Sequence, residues 1–141
     1  MASIVVLGST NVDLITRVDK LPEKGETLIS LGDLEKLPGG KGANQAVAVG
    51  RLRRQDVKTG AHPPRTWFIS CVGNDDNAKI GLQNLWACGA VDLSLVQKVE
   101  QASTGLAFIT VDSQGENTIV VSPGANYRFT ANQLISDQWA C

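Results

Sequence analysis

An α/β fold built on a mainly parallel sheet is what this sequence predicts. Short β-branched runs alternate along it with helix-like runs, and glycines mark their junctions. The first run, "SIVVLG" from Ser3 to Gly8, has the pattern of a buried parallel strand that ends at a glycine. From Ala43 to about Arg53, the residues Ala43, Ala46, Val47 and Gly50 recur at i, i+3, i+4 and i+7, so one narrow face of a helix is made of small side chains that allow close packing on a sheet. "WFISCVG", Trp67 to Gly73, predicts a second buried strand. Asn74 or Asp75 then offers an N-cap for a helix whose apolar residues are Ile80, Leu82, Leu85 and Trp86, and Gly89 is a natural C′ residue.

Two segments depart from that alternation. "DLITRVDKLPEKGETLISLGDLEKLP", Asp13 to Pro38, has short strand-like stretches broken by prolines and glycines, with no helical period. "TGLAFITVDSQGENTIVVSP", Thr104 to Pro123, predicts a hairpin of β-branched runs joined by "DSQGEN". The two excursions are expected to meet as one small antiparallel sheet, a lid over the crevice of the α/β core, formed by residues of about 14–38 and 104–123. An open sheet of this kind has free edges and an apolar face, which would cover a ligand or pair with another subunit.

A chain of 141 residues with 43% hydrophobic and 19% charged content fits a single globular domain. The formal net charge of −1, from 13 basic and 14 acidic residues, provides no global field for nucleic acid or an anionic membrane. The basic stretch "RLRRQDVKTGAHPPRT", Arg51 to Thr66, lacks aromatic interleaving and is expected to be an exposed, solvated loop. No apolar run approaches the ~18 residues of a membrane span. The opening "MASIVVLGST" is too short in its apolar core for a signal peptide and has no basic start, so an intracellular, cytoplasmic setting is expected, with the nucleus as an alternative. Cys71, Cys88 and Cys141 are odd in number and lack metal-ligand spacing, and His62 is the lone histidine. Those counts argue against a disulfide scaffold, a zinc site and a histidine triad. Cys71 and Cys88 stand in apolar surroundings and are expected to be buried, inert thiols.

The densest chemical signal is "PGGKGANQAVAVGRL", Pro38 to Leu52. A glycine-rich turn into a helix suggests an anion cradle. A P-loop, however, needs a glycine where Glu35 stands and a Ser or Thr where Gly42 stands, and the dinucleotide fingerprint needs a small residue where Gln45 stands. The first strand exits into "GSTNVD", Gly8 to Asp13, at the kind of place where open α/β sheets bind ligands. Asn11 and Asp13 are two apart, so in extended backbone they point the same way. A carboxylate accepting from adjacent hydroxyls beside an amide that donates and accepts suits a sugar diol; an Asx-turn that satisfies only local backbone is the other reading of these residues. Gly39, Gly40 and Gly42 would let backbone approach such a ligand, with Lys41 as a positive donor and Asn44 in the first helical turn. The competing reading of the loop is a tight turn with a solvent-facing lysine.

Taken in order, "GSTNVD", "PGGKGANQAVAVGRL", "CVGNDD" and "STGLAFITVDSQGENTIVVSPGAN" resemble the N-terminal half of the ribokinase branch of the PfkB family of carbohydrate kinases. The resemblance covers nearly the whole chain. Lys41 with Gln45 favours that branch over fructokinase-like or adenosine-kinase-like members. It implies a ribokinase-like fold, a mainly parallel sheet flanked by helices plus a small β-sheet lid, with residues 1–141 as its incomplete, N-terminal part. It also implies phosphorylation of the 5-hydroxyl of D-ribose by ATP, with Mg²⁺ and with K⁺ as activating ion. Asn11, Asp13, Gly40, Lys41, Gly42, Ala43 and Asn44 would form the sugar site, and the lid would pair between subunits as a homodimer. "PGAN", Pro123 to Asn126, is read as part of the lid.

The departures from the family pattern carry equal weight. The family's Gly-Ala-Gly-Asp motif, which supplies the catalytic base and an anion hole, has no counterpart here, so the base and the ATP and potassium sites are expected outside this chain. The link after Leu52 is longer than usual in the family, and "SDQWAC" is expected to lie within or just after a helix. The chain is therefore expected to be a fragment inactive by itself. Alternatives are a non-catalytic sugar-binding or dimerisation module, or another sugar or nucleoside kinase of the family.

Overall fold

The computed structural model describes residues 3–53 and 65–130. Most of the basic loop, His62, Cys141 and the helix read in "SDQWAC" lie outside the described residues. In chain order the elements are β1 (Ile4–Leu7), β2 (Asn11–Arg17), β3 (Glu35–Gly39), α1 (Lys41–Arg53), β4 (Thr66–Gly73), α2 (Asp76–Cys88), β5 (Val96–Val99), β6 (Gly105–Val111) and β7 (Asn117–Ser122), followed by a 3₁₀ turn over Gly124–Arg128.

The strands form a three-stranded parallel sheet of order β1-β4-β5 and a four-stranded sheet of order β3-β2-β6-β7. In the first, β4 is central and buried along nearly its whole length, as its continuous apolar run predicts. Ala43, Ala46 and Val47 of α1 and Ala78, Leu82 and Leu85 of α2 pack against Phe68 and Val72 of β4 to make the core. The small-residue face of α1 is thus the buried face, with Gly50 beside it. Helix α2 starts where Asp75, in extended backbone, accepts a hydrogen bond from the Ala78 N–H at 3.0 Å. It ends at Gly89, whose φ of 63° lets its N–H reach back to the Leu85 carbonyl. Cys71 and Cys88 are free and buried, as expected, and burial pushes the Cys71 thiol pKa up.

Several expectations need correction. Strand β1 is not buried: Val5 is 47% and Leu7 53% exposed, because among the described residues β1 is an edge strand that pairs only with β4. Trp86 is exposed rather than part of the apolar face of α2. The second sheet does unite both strand-rich excursions, and β6 and β7 are the expected hairpin, but the sheet is mixed, since β2 pairs parallel with β6. Two strands far apart in sequence can meet parallel or antiparallel, and no short turn between β2 and β6 dictates which. Strand character in the first excursion is confined to its ends, β2 and β3. The "PGAN" stretch does not join the second sheet; it opens the 3₁₀ turn that packs against β4.

Candidate functional site

The chain leaves β1 at Gly8 and enters β2 at Asn11, so the site begins where the two sheets join. Thr10, fully buried at this junction, shares a 2.9 Å hydrogen bond between its hydroxyl and that of Ser70. Asn11 and Asp13 are both in β2 and therefore on one face, as their spacing predicts. In register with Asn11 stand Gly39 of β3 and Gly105 of β6. A Cβ at Gly39 would run into the Asp13 carboxylate, and one at Gly105 into Asn11 Oδ1 and Asn126 Nδ2. Bare backbone on both flanks is what makes room for the two polar side chains. We expect Gly105→Ala to displace the Asn11 amide and to weaken any ligand held by it by about tenfold or more, read by calorimetry; unchanged affinity would remove Gly105 from the site.

The glycine loop is stitched to the same junction. Gly40 has φ of 95°, and a Cβ there would lie 2.6 Å from the Ser9 carbonyl oxygen, so only glycine fits. Gly42 is buried with its Cα against Gly8. The Ala43 N–H donates to the Ser9 carbonyl at 3.0 Å and the Asn44 N–H to the Gly40 carbonyl at 2.9 Å. These two amides are engaged inside the fold. Asn11, Asp13, Gly40, Gly42 and Ala43 are thus brought together by the junction. Lys41 and Asn44 lie exposed on the first turn of α1, and neither hydrogen-bonds to Asn11 or Asp13.

Asp13 is half-buried, and burial pushes its pKa up from the ordinary value of 3.8. Among the described residues no donor hydrogen-bonds to its carboxylate. A desolvated carboxylate with no donor is costly unless a ligand supplies one. Among the described residues no group of three or more His, Cys, Asp or Glu is arranged to hold a metal ion. A cavity of about 280 Å³ runs along the ends of β1 and β4, lined by Leu7, Ser70, Cys71, Asn126 and Phe129 among others, and neither Asn11 nor Asp13 lines it. The polar pair instead occupies the open face of the second sheet.

Three further residues support the site and were not singled out by sequence reasoning. Gly105 could have been noticed as a glycine at the start of a strand-like run. Asn126, in the quoted "PGAN", accepts a hydrogen bond from the Thr10 N–H at 2.9 Å and donates to Asn11 Oδ1 at 2.9 Å. Thr104, fully buried, is gripped by Asp75: Oδ2 accepts from the Thr104 N–H at 2.9 Å and Oδ1 from the Thr104 hydroxyl at 2.6 Å. The Thr104 hydroxyl oxygen in turn accepts from the Gly73 N–H at 2.9 Å. The N-cap of α2 is thereby tied to the residue that precedes β6.

A sequence profile described as pfkB family carbohydrate kinase matches residues 1–141. The chain belongs to that family. Among its pfkB-family relatives, the ribokinase of Staphylococcus aureus (strain COL) is 38% identical over 133 residues, covering 94% of this chain and 40% of that protein. The ribokinase of Schizosaccharomyces pombe is 44% identical over 128 residues, covering 89% of this chain and 38% of that one. The solved structure of Arabidopsis thaliana ribokinase complexed with ribose and ATP superposes with a TM-score of 0.71 at 35% identity, covering 89% of this chain and 38% of its own. This pfkB-family chain therefore spans about 40% of the length of the curated relatives it matches.

Proposed function

We propose that the chain is the sugar-binding part of a ribokinase-like kinase that transfers phosphate from ATP to the 5-hydroxyl of D-ribose. The observation that carries this reading is the half-buried Asp13 carboxylate, short of donors, beside Asn11 and over the bare backbone of Gly39 and Gly105. A sugar diol is what such a pair accommodates: adjacent hydroxyls donate to the carboxylate while the amide donates to a hydroxyl oxygen. Asn11 and Asp13 hold the sugar, Gly40, Gly42 and Ala43 form its wall, and Lys41 and Asn44 approach from the first turn of α1. The complex of the Arabidopsis relative with ribose and ATP supports the substrate class. ATP would supply the phosphoryl group, with Mg²⁺ and K⁺ as its ions; base, nucleotide and ions would be held outside the described residues. The isolated chain is then a binder without turnover, set in the cytoplasm.

The second sheet is the lid in this reading, formed by segments of about 14–38 and 104–123 with Asn11 and Asp13 at its root. Closing over the sugar, it would exclude water from the transferred phosphoryl group. Leu37, Val121 and Ile119 are exposed and lie, by register, on the face that carries Asp13. That apolar face supports a homodimer through the lid. The chain is expected to sediment as a dimer that Ile119→Asp converts to monomer; a monomer at high concentration without the substitution rejects the pairing.

Calorimetry with D-ribose, 2-deoxyribose and glycerol tests the binding role. Saturable heat is expected with ribose and none with glycerol, and no heat with either pentose rejects the sugar site. A coupled assay for ADP release is expected to show no ribose-dependent turnover by the purified chain. Turnover would show that the catalytic base lies within these residues.

A further inference from the structure

Asn126 enters the site from the 3₁₀ turn, and its amide is oriented without ambiguity by its partners. Its Oδ1 accepts from a backbone N–H, that of Thr10. Its Nδ2 faces three acceptors: the Thr10 carbonyl at 3.1 Å, the Pro123 carbonyl at 3.0 Å and Asn11 Oδ1 at 2.9 Å. The reverse orientation would set an oxygen against three oxygens and an amino group against an N–H. Asn126 thus pairs with both the N–H and the carbonyl of Thr10, as a neighbouring strand would, and the two N–H donors of its amino group are shared among the Thr10 carbonyl, the Pro123 carbonyl and Asn11 Oδ1, the last being the shortest of the three contacts.

That last bond fixes which way the Asn11 carboxamide turns. Its oxygen is occupied by Asn126 Nδ2, so its own Nδ2 is left as a donor, and among the described residues nothing accepts from it. Asp13, two residues on, can only accept when ionised. We propose that Asn126 is a positioning residue that locks Asn11 as the donor beside the acceptor Asp13, and so sets the hydrogen-bond polarity with which the site reads a sugar hydroxyl pair. This rests on the sugar-site reading above. Asn126 does not itself reach the sugar; it acts through Asn11. Its place between Pro123 and Thr10 also means that any shift of the 3₁₀ turn is transmitted to the amide of Asn11.

A double-mutant cycle on the whole chain, read by ribose calorimetry, tests this. Asn126→Ala is expected to weaken ribose by about tenfold, because the freed Asn11 amide loses its fixed orientation. In an Asn11→Ala chain the same substitution is expected to cost nothing further. Equal losses in both backgrounds overturn the proposal, since a purely structural role would be additive. Asn126→Asp, close in shape, serves if Asn126→Ala does not fold by circular dichroism. Its carboxylate would turn Asn11 so that the oxygen faces the site, and the same loss confined to the chain that retains Asn11 is expected. An Asn11→Ala chain that binds ribose unchanged would overturn the sugar-site reading, whereas weakened binding there with no effect of either Asn126 variant would overturn only the role of Asn126.

Discussion

Asp13→Ala is expected to abolish measurable ribose binding while leaving the chain folded. Two sugar hydroxyls donating to an ionised carboxylate would contribute about 1.5–3 kcal/mol each, so their loss weakens binding by at least about 100-fold. The folded state gives little in return for this carboxylate, since it is half-buried and no donor among the described residues compensates it. Its removal should leave the urea midpoint unchanged or slightly raised. The pH dependence has a definite sign. Burial raises the folded-state pKa above 3.8, so the folded chain holds this proton more tightly than the unfolded one. Stability therefore declines as pH rises from the ordinary value through the raised one. Ribose affinity moves the opposite way, increasing over that window as the carboxylate ionises. Calorimetry across an acid pH series checks both arms, and Asp13→Asn should flatten the affinity profile; a profile that survives the substitution assigns the titration elsewhere.

Asp75→Ala is expected to lower stability by about 3 kcal/mol in urea unfolding. The estimate combines an N-cap of about 1 kcal/mol with the exposure of unpaired groups on Thr104, at about 1–3 kcal/mol. Thr104 is fully buried, so its N–H has no water to fall back on. Burial of Asp75 pushes its pKa up, yet the Thr104 hydroxyl and the N–H groups of Thr104, Ala78 and Asn77 together outweigh it and hold the carboxyl below 3.8. Folding here favours the ionised form, the reverse of Asp13. The stabilisation is fully present above the unfolded value and is lost as pH falls through the lowered folded one. The urea midpoint of the unsubstituted chain should fall on acidification through that window, and Asp75→Ala should lose this part of the slope. A variant that keeps the slope and loses less than about 0.5 kcal/mol would show that the Thr104 clamp carries no weight.

The core was legible because each element announces itself over a few consecutive residues. The small face of α1, the unbroken apolar run of β4 and the Asp75 and Gly89 ends of α2 all lie within a single element or at its caps. The shared face of Asn11 and Asp13 was legible for the same reason, since a spacing of two in a strand fixes orientation. Direction of pairing between β2 and β6 was not, because it joins segments separated by most of the chain. The exposure of β1 was not either, since an apolar run specifies what a strand prefers and not what stands beside it. Asn126 illustrates the limit most clearly. It lies 115 residues from Asn11, and in the sequence it is one more turn residue after a proline and a glycine.

By itself, then, the sequence determined the α/β class, the pfkB-type motifs and the identity of the polar pair, because periodicity, capping and residue spacing act over one or two turns of chain. Only the tertiary structure decided that Gly39 and Gly105 clear the space for that pair, that Asp75 clamps the approach to β6 and that Asn126 holds the Asn11 amide. Those are contacts between side chains and backbone remote in sequence, and their geometry exists only once the two sheets have met.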